Sequence, residues 1–114
     1  MKRLLLLLFI IPLIIAACSK ETETIGIRGW IKEIQMDEEK LLIHSILVEG
    51  EIEDDTQYDS AYVNITEETK ILKDDKEVNL DVLEEGLMVE VIFDGPVAES
   101  YPVQGAAKKI IIID

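Results

Sequence analysis

The chain has 114 residues, with 11 basic and 24 acidic side chains, one cysteine, one histidine and one tryptophan. That length allows one domain at most, and the formal net charge of −13 excludes a nucleic-acid binder that works by neutralising phosphates, because such a protein needs a basic face. The lone cysteine excludes a disulfide framework within the chain. With a single histidine beside it, a Cys/His zinc site is excluded and a nucleophile–histidine triad is disfavoured.

The first 17 residues have the pattern of a secretory signal peptide. A short basic start, Met1-Lys2-Arg3, precedes an apolar run from Leu4 to Ile15 that only Pro12 interrupts, and two alanines follow. This run is shorter than the roughly 20 residues that span a bilayer as a permanent helix. We therefore expect a segment that is removed rather than one that stays in the membrane.

The residues Ile15-Ala16-Ala17-Cys18 resemble the lipobox of bacterial lipoproteins. In that family the cysteine thiol receives a diacylglyceryl group and becomes the mature N-terminus. The resemblance implies a lipoprotein signal peptide over 1–17, a lipid on Cys18 as the one attached group with no other cofactor, and an extracytoplasmic protein anchored to the bilayer. The alternative is an ordinary secretory signal, which would leave Cys18 as an exposed thiol prone to oxidation.

Residues 18–24 are predicted to be the lipidated N-terminus and a polar tether, which reaches about 20 Å when extended. Cleavage after residue 17 leaves 97 residues, and because Lys2 and Arg3 leave with the signal, nine basic residues remain against 24 acidic ones, a net charge of −15. The domain of residues 25–114 should lie close to the membrane, held off an anionic surface by its own charge.

From Ile25 onward the pattern predicts short strands separated by polar turns. In the first strand, from Ile25 to Lys32, apolar and polar residues alternate, so that one face is apolar. A polar turn at 36–39 leads into residues 40–48, which are apolar enough for a strand covered on both sides. The other predicted elements are a third strand over 61–66, a small hairpin over 71–78, a fourth strand over 88–93, a loop with glycines and prolines over 94–106 and a final strand over 107–113.

These elements predict an all-β fold with one short helix. Asn79 is expected to cap that helix, which carries Leu80 and Leu83 and closes at Gly86. Five main strands with a helix between the third and fourth indicate a small five-stranded antiparallel barrel of the OB type, and closure would remove exposed strand edges. An open β-sandwich is the alternative.

The segment from Val91 to Gln104, VIFDGPVAESYPVQ, resembles the signature of the YobA-like proteins, which are small lipoproteins or secreted proteins mostly from Gram-positive bacilli. Gly29-Trp30-Ile31, residues 65–71 and residues 83–89 resemble other parts of that family in the same order, although Val103 and Gly105 depart from its commonest residues. The resemblance covers roughly residues 25–113. It implies one OB-like barrel of unknown function and brings no catalytic residue.

Two surfaces are candidates for binding. The 94–104 loop would flank the usual ligand face of an OB barrel and offers Asp94, Glu99, Tyr101 and Gln104, stiffened by two prolines. Alternatively the loop only packs, with Tyr101 as a lid, Glu99 accepting backbone N–H groups and a cis bond before Pro102. Trp30 and Tyr62 lie on strands and are candidates for an aromatic platform, although strand aromatics more often pack.

The acidic connection between the second and third strands is a weaker candidate. Its carboxylates suit calcium outside the cell, but no D-x-D-x-D-G loop is present, and a solvated acidic loop that keeps the barrel soluble is the favoured interpretation. The lone histidine, His44, is expected to be a residue of the barrel surface. The residues of this weak calcium site are Glu49, Glu51, Glu53, Asp54 and Asp55.

The function expected from these features is a non-catalytic binding or interaction module in the cell envelope. Its partners would be the lipid bilayer, through Cys18, and an envelope protein or peptide, with no nucleic acid. The alternative is an extracellular domain that binds calcium or another cation. A hydrolase is disfavoured, because an abundance of carboxylates alone does not make a catalytic pair.

Overall fold

The computed structural model describes residues 23–38 and 42–113, which form seven β-strands and one turn of 3-10 helix. The predicted signal peptide, Cys18 and the tether before Glu23 lie outside these residues. Within the described part of the chain, no helix is long and apolar enough to cross a membrane. The strands are β1 (Ile27–Met36), β2 (Ile43–Glu49), β3 (Ser60–Asn64), β4 (Lys70–Lys73), β5 (Lys76–Val78), β6 (Met88–Phe93) and β7 (Val103–Ile112).

Five of these strands close into a barrel, in the order β1-β2-β3-β7-β6 and back to β1. Four of the pairings are antiparallel, and the pairing of β3 with β7 is parallel, with Ala61 beside Val103. The predicted OB-like barrel is confirmed, with this parallel pair as a feature that the antiparallel description did not include. The long connection between β3 and β7 makes it possible, since parallel neighbours need a crossover.

The inward face of each strand builds one continuous core. Ile31 of β1 pairs with Val48 of β2, Val48 with Ala61 of β3, and Ala61 with Val103 of β7, so one layer of buried side chains runs around the barrel. The alternation predicted for β1 is confirmed. At Lys32 the register between β1 and β2 shifts by one residue, and such a bulge bends a strand. The bend lets β1 pair with β6 in its first half and with β2 along most of its length.

The predicted small hairpin over 71–78 is confirmed as β4 and β5, which lie beside β7 outside the five-strand ring. Its two-residue turn consists of Asp74 and Asp75, which have φ angles of 55° and 68°. Two successive residues with positive φ are the requirement of a type I′ hairpin turn, and aspartate tolerates that conformation well.

The helix predicted from Asn79 to Gly86 is wrong in extent. Only Leu80–Val82 form a 3-10 turn, and the side chain of Asn79 makes no capping hydrogen bond. The backbone becomes extended at Leu83, because the side chain of this residue is buried in the core. A longer helix would carry Leu83 away from this position.

The last strand is longer than predicted, because it begins at Val103 and not at Ala107. The sequence predicts Gly105 in the loop, but it lies within β7 with its Cα facing the ring of Phe93. Strand pairing with Val63 of β3 outweighs the weak strand propensity of glycine here. The first strand likewise extends beyond the predicted Lys32 to Met36, the first residue of the predicted turn.

Candidate binding face

The barrel register brings the predicted aromatic and loop residues to one outer surface. Trp30 of β1 pairs with Glu49 of β2. Two residues away along β2, Leu47 pairs with Tyr62 of β3, and Tyr62 pairs with Gln104 of β7. Residues two apart on a strand point to the same side, so these side chains share one outer surface. We call the surface made by Trp30, Glu49, Tyr62, Gln104 and the loop residue Tyr101 the aromatic face.

Two large aromatic side chains of this face are exposed to solvent. Trp30 is 48% exposed and Tyr101 is 75% exposed, whereas Tyr62 is partly buried. Because Tyr101 is so exposed, it does not serve as a lid packed onto the core, which is one interpretation of the loop. Aromatic rings on a barrel of this size usually pack, and rings with a polar tip are enriched at binding interfaces.

Beside the aromatic residues the face is polar. The Ser45 hydroxyl donates a hydrogen bond to Oε1 of Gln35 at 2.7 Å, and these two residues are paired between β1 and β2. A shallow depression of about 260 Å³ opens here, and the exposed His44 lies at its edge, as expected for a barrel-surface residue. The residues lining the depression are Gln35, His44, Ser45, Tyr62, Asn64 and Gln104.

The loop between β6 and β7 is a folded arm. Ala98 and Gln104 exchange two backbone hydrogen bonds, of 2.8 and 3.2 Å, and the amide of Asp94 donates to the carbonyl of Ala106 at 2.8 Å. The bond between Tyr101 and Pro102 is cis, as one interpretation of the sequence proposed. Asp94 and Glu99 are exposed, whereas Tyr101 and Gln104 reach the aromatic face.

The base of this arm rests on the Phe93 ring, which lies between two glycines. A Cβ atom at Gly26 would stand 2.4 Å from the ring and one at Gly105 would stand 2.9 Å from it, both too close for a real contact. Tyr58 meets the same ring edge to face, with centroids 6.0 Å apart. Next to the ring a cleft of about 370 Å³ opens, walled by Val97 of the arm and by the start of the described chain.

Two carboxylates lie beside Tyr101. The negative charge of Asp59, together with the hydrogen bond that its carboxylate accepts, raises the pKa of the Tyr101 phenol, and the charge of Glu49 acts in the same direction. Glu49 is also the cross-strand neighbour of Trp30. The carboxylate of Glu49 is thus close to both exposed aromatic residues.

The acidic connection between β2 and β3 is held to the barrel by Arg28, a role that sequence reasoning missed. Its Nε donates to Glu90 at 2.8 Å, its Nη1 and Nη2 donate to the two oxygens of Asp55 at 3.0 and 2.8 Å, and Glu53 forms a further short ion pair. The forked hydrogen bond from Arg28 lowers the pKa of Asp55. Arg28 is the only arginine after residue 3, and a single arginine in so acidic a chain was the feature that could have indicated this role.

The residues of the predicted calcium site lie in three different surroundings. Glu53 and Asp55 contact Arg28, Glu49 belongs to the aromatic face, and Glu51 and Asp54 are exposed. Across residues 23–38 and 42–113, no group of three or more His, Cys, Asp or Glu side chains is arranged to hold a metal ion. The calcium interpretation stays a prediction.

Ion pairs also hold the segment that precedes β1 against the barrel. Glu23 forms ion pairs with Lys108 at 2.9 Å and Lys109 at 2.8 Å, both on β7. Hydrogen bonds from the two ammonium groups lower the pKa of Glu23 to about 2. The last part of the predicted tether is therefore bound to the domain.

Comparison with known proteins identifies a family for this chain. No curated protein and no solved structure matches the chain. The model of the family described as "Protein of unknown function (DUF3221)" matches residues 29–114, a range that includes the whole barrel except the first two residues of β1. It also includes every residue of the aromatic face. The chain therefore belongs to the DUF3221 family.

Proposed function

We propose that this chain is an extracytoplasmic, lipid-anchored protein whose barrel binds a partner in the cell envelope through the aromatic face. The observation that carries the binding part is the strand register, which brings Trp30, Tyr62 and Gln104 from three separate strands to one outer surface. Tyr101 of the arm joins them through its interaction with Glu49. The proposed role is recognition without catalysis.

The anchoring part of the proposal is supported by the lipobox-like residues before Cys18 and by the resemblance to YobA-like lipoproteins. Because Glu23 is held on β7, only residues 19–22 separate the proposed lipid from the domain. Those residues reach roughly 15 Å when extended. A domain on so short a tether would meet partners that lie at the membrane surface.

The experiment uses the full chain in its native membrane, with a photoreactive phenylalanine derivative in place of Tyr62. A matched control carries the same group in place of Glu77, which lies on β5 outside the barrel. We expect irradiation to capture one envelope partner from position 62 and not from position 77, with the yield lost when Tyr101→Ala is added. Equal capture from both positions, or none from position 62, would contradict binding through the aromatic face.

The anchor is tested in the same cells with Cys18→Ala. We expect the unchanged protein to fractionate with membranes and the variant to leave them, because an unlipidated tether has nothing to hold it to the bilayer. Equal membrane fractions for the two proteins would contradict the lipid anchor while leaving the binding face untouched.

A further inference from the structure

We propose that the aromatic face docks a lysine- or arginine-bearing segment of a polypeptide, with the cationic side chains held between Trp30 and Tyr101 and paired with Glu49 and Asp59. This inference rests on the proposed function and adds the chemistry of the partner. Its basis is the exposed aromatic and acidic character of one sheet face.

Two carboxylates are available to pair with a cationic partner: Glu49 of the aromatic face and Asp59 beside Tyr101. Among the described residues, Glu49 and Asp59 form no ion pair with a basic side chain, in contrast to Glu53, Asp55 and Glu90, which share Arg28. Both are exposed. At the β1 end of the face, Lys32 and Glu33 are exposed and of opposite charge, so they leave its net charge negative.

The aromatic residues explain why a cation of the lysine or arginine kind fits better than a bare ion. Trp30 is the cross-strand neighbour of Glu49, and the charge of Glu49 acts on the Tyr101 phenol, so both exposed aromatic residues lie near this carboxylate. The face of an aromatic ring attracts ammonium and guanidinium groups. The alkyl stem of such a side chain also packs on the ring while its charged head stays with the carboxylates.

The whole-chain charge selects the same partner and disfavours a second copy of this chain. After the predicted cleavage the chain would carry −15, and a field of that sign speeds the approach of cationic partners. Two copies meeting at this face would bring like charges together.

The test uses the full chain in micelles of a neutral detergent, titrated with a lysine dodecamer. Trp30 is the only tryptophan in the chain, so its fluorescence reports occupancy of this face directly. We expect a saturable change whose apparent Kd rises with added salt. A serine dodecamer of the same length should produce no change, and an arginine dodecamer should bind at least as tightly as lysine.

The variants separate the face from the general acidity of the chain. Glu49→Gln with Asp59→Asn should weaken lysine binding by about tenfold or more. Asp74→Asn with Asp75→Asn makes the same change of charge at the β4–β5 turn, where asparagine also tolerates the positive φ, and should shift the Kd less than twofold. The melting temperature of each variant checks that the barrel is intact.

Two outcomes would overturn the inference. One is equal weakening in both double variants, which would mean unspecific attraction to an acidic chain. The other is no change in Trp30 fluorescence with either cationic peptide. If that happens while photocapture from position 62 still succeeds, the proposed function stands and only the cationic partner is wrong.

Discussion

At the scale of single residues, two charged side chains fasten long segments of chain to the barrel. Arg28 holds the acidic connection through Glu53 and Asp55 and also pairs with Glu90 of β6. Glu23 holds the entering segment through two lysines of β7. The alternation in β1 predicted that Arg28 faces outward, and it does. Its partners lie 25 to 62 positions along the chain, beyond the reach of any local pattern.

The Glu23 ion pairs predict a specific pH dependence of stability. The pKa of Glu23 lies at about 2 in the folded protein, below its ordinary value of 4.5, so the charged form stabilises the fold. That contribution is complete above pH 4.5 and is lost as the pH falls from there through about 2. Because the pairs are partly exposed, we expect Glu23→Gln to lower the free energy of unfolding by about 1 kcal/mol at pH 7.

Urea unfolding of the variant and the unchanged protein at pH 7, 4 and 2 measures this difference. The gap should narrow below pH 4.5 and close near pH 2. Glu77→Gln serves as the control, since Glu77 is exposed on β5 and its loss should change stability by less than about 0.5 kcal/mol. A gap for Glu23→Gln that stays constant with pH would contradict the role of its charge.

At the scale of elements, the strands were easier to predict than their ends. Alternating apolar residues located the barrel strands, and the Asp74-Asp75 hairpin followed from its polar turn. The predictions for the helix after Asn79 and for the start of β7 are wrong, because the burial of Leu83 and the pairing of Val103 with Ala61 decide these features. Both are contacts between elements, which capping and turn residues do not encode.

Gly50 tests how closely two elements pack, because it follows the end of β2 at a point where the chain lies against the backbone of β1. A Cβ atom at this position would stand 2.1 Å from the carbonyl oxygen of Arg28 and 2.8 Å from the Cα of Gly29. Both are backbone atoms that cannot rotate away. We expect Gly50→Ala to destabilise the protein by about 2 kcal/mol, in the range for forced overpacking.

Chemical denaturation followed by Trp30 fluorescence measures the Gly50 effect. Glu51→Ala, on the next and exposed residue, is the matched control and should shift stability by less than about 0.5 kcal/mol. If Gly50→Ala unfolds at the same denaturant concentration as the unchanged protein, the backbone at Gly50 does not lie so close to Arg28 and Gly29 of β1.

At the scale of the whole molecule, one strand joins all parts of the fold. β7 pairs with β6, with β3 and, further along, with β4, so it closes the barrel and carries the outer hairpin. Ile110 lies at the centre of this junction, paired with Val91 on one side and Ile71 on the other, and it is fully buried.

We expect Ile110→Ala to cost about 3 kcal/mol, because it removes buried apolar volume and leaves a cavity. Ile113→Ala should cost less than about 1 kcal/mol, since that side chain is 39% exposed. Unfolding followed by both Trp30 fluorescence and far-UV circular dichroism should give one coincident transition for each protein. Two separate transitions would mean that the hairpin and the barrel unfold independently.

The sequence by itself determined the local features of this protein: the period of two that makes strands and the polar turns between them. The removal of the first 17 residues stays a prediction. The sequence further indicated two separate candidate surfaces, one with Trp30 and Tyr62 and one that includes Tyr101 and Gln104. Only the tertiary structure decided that these four lie on one face, because strand register joins residues far apart in the chain and no local pattern encodes it. The parallel pairing of β3 with β7 brings Tyr62 beside Gln104, and an open sandwich without that pairing would leave them apart.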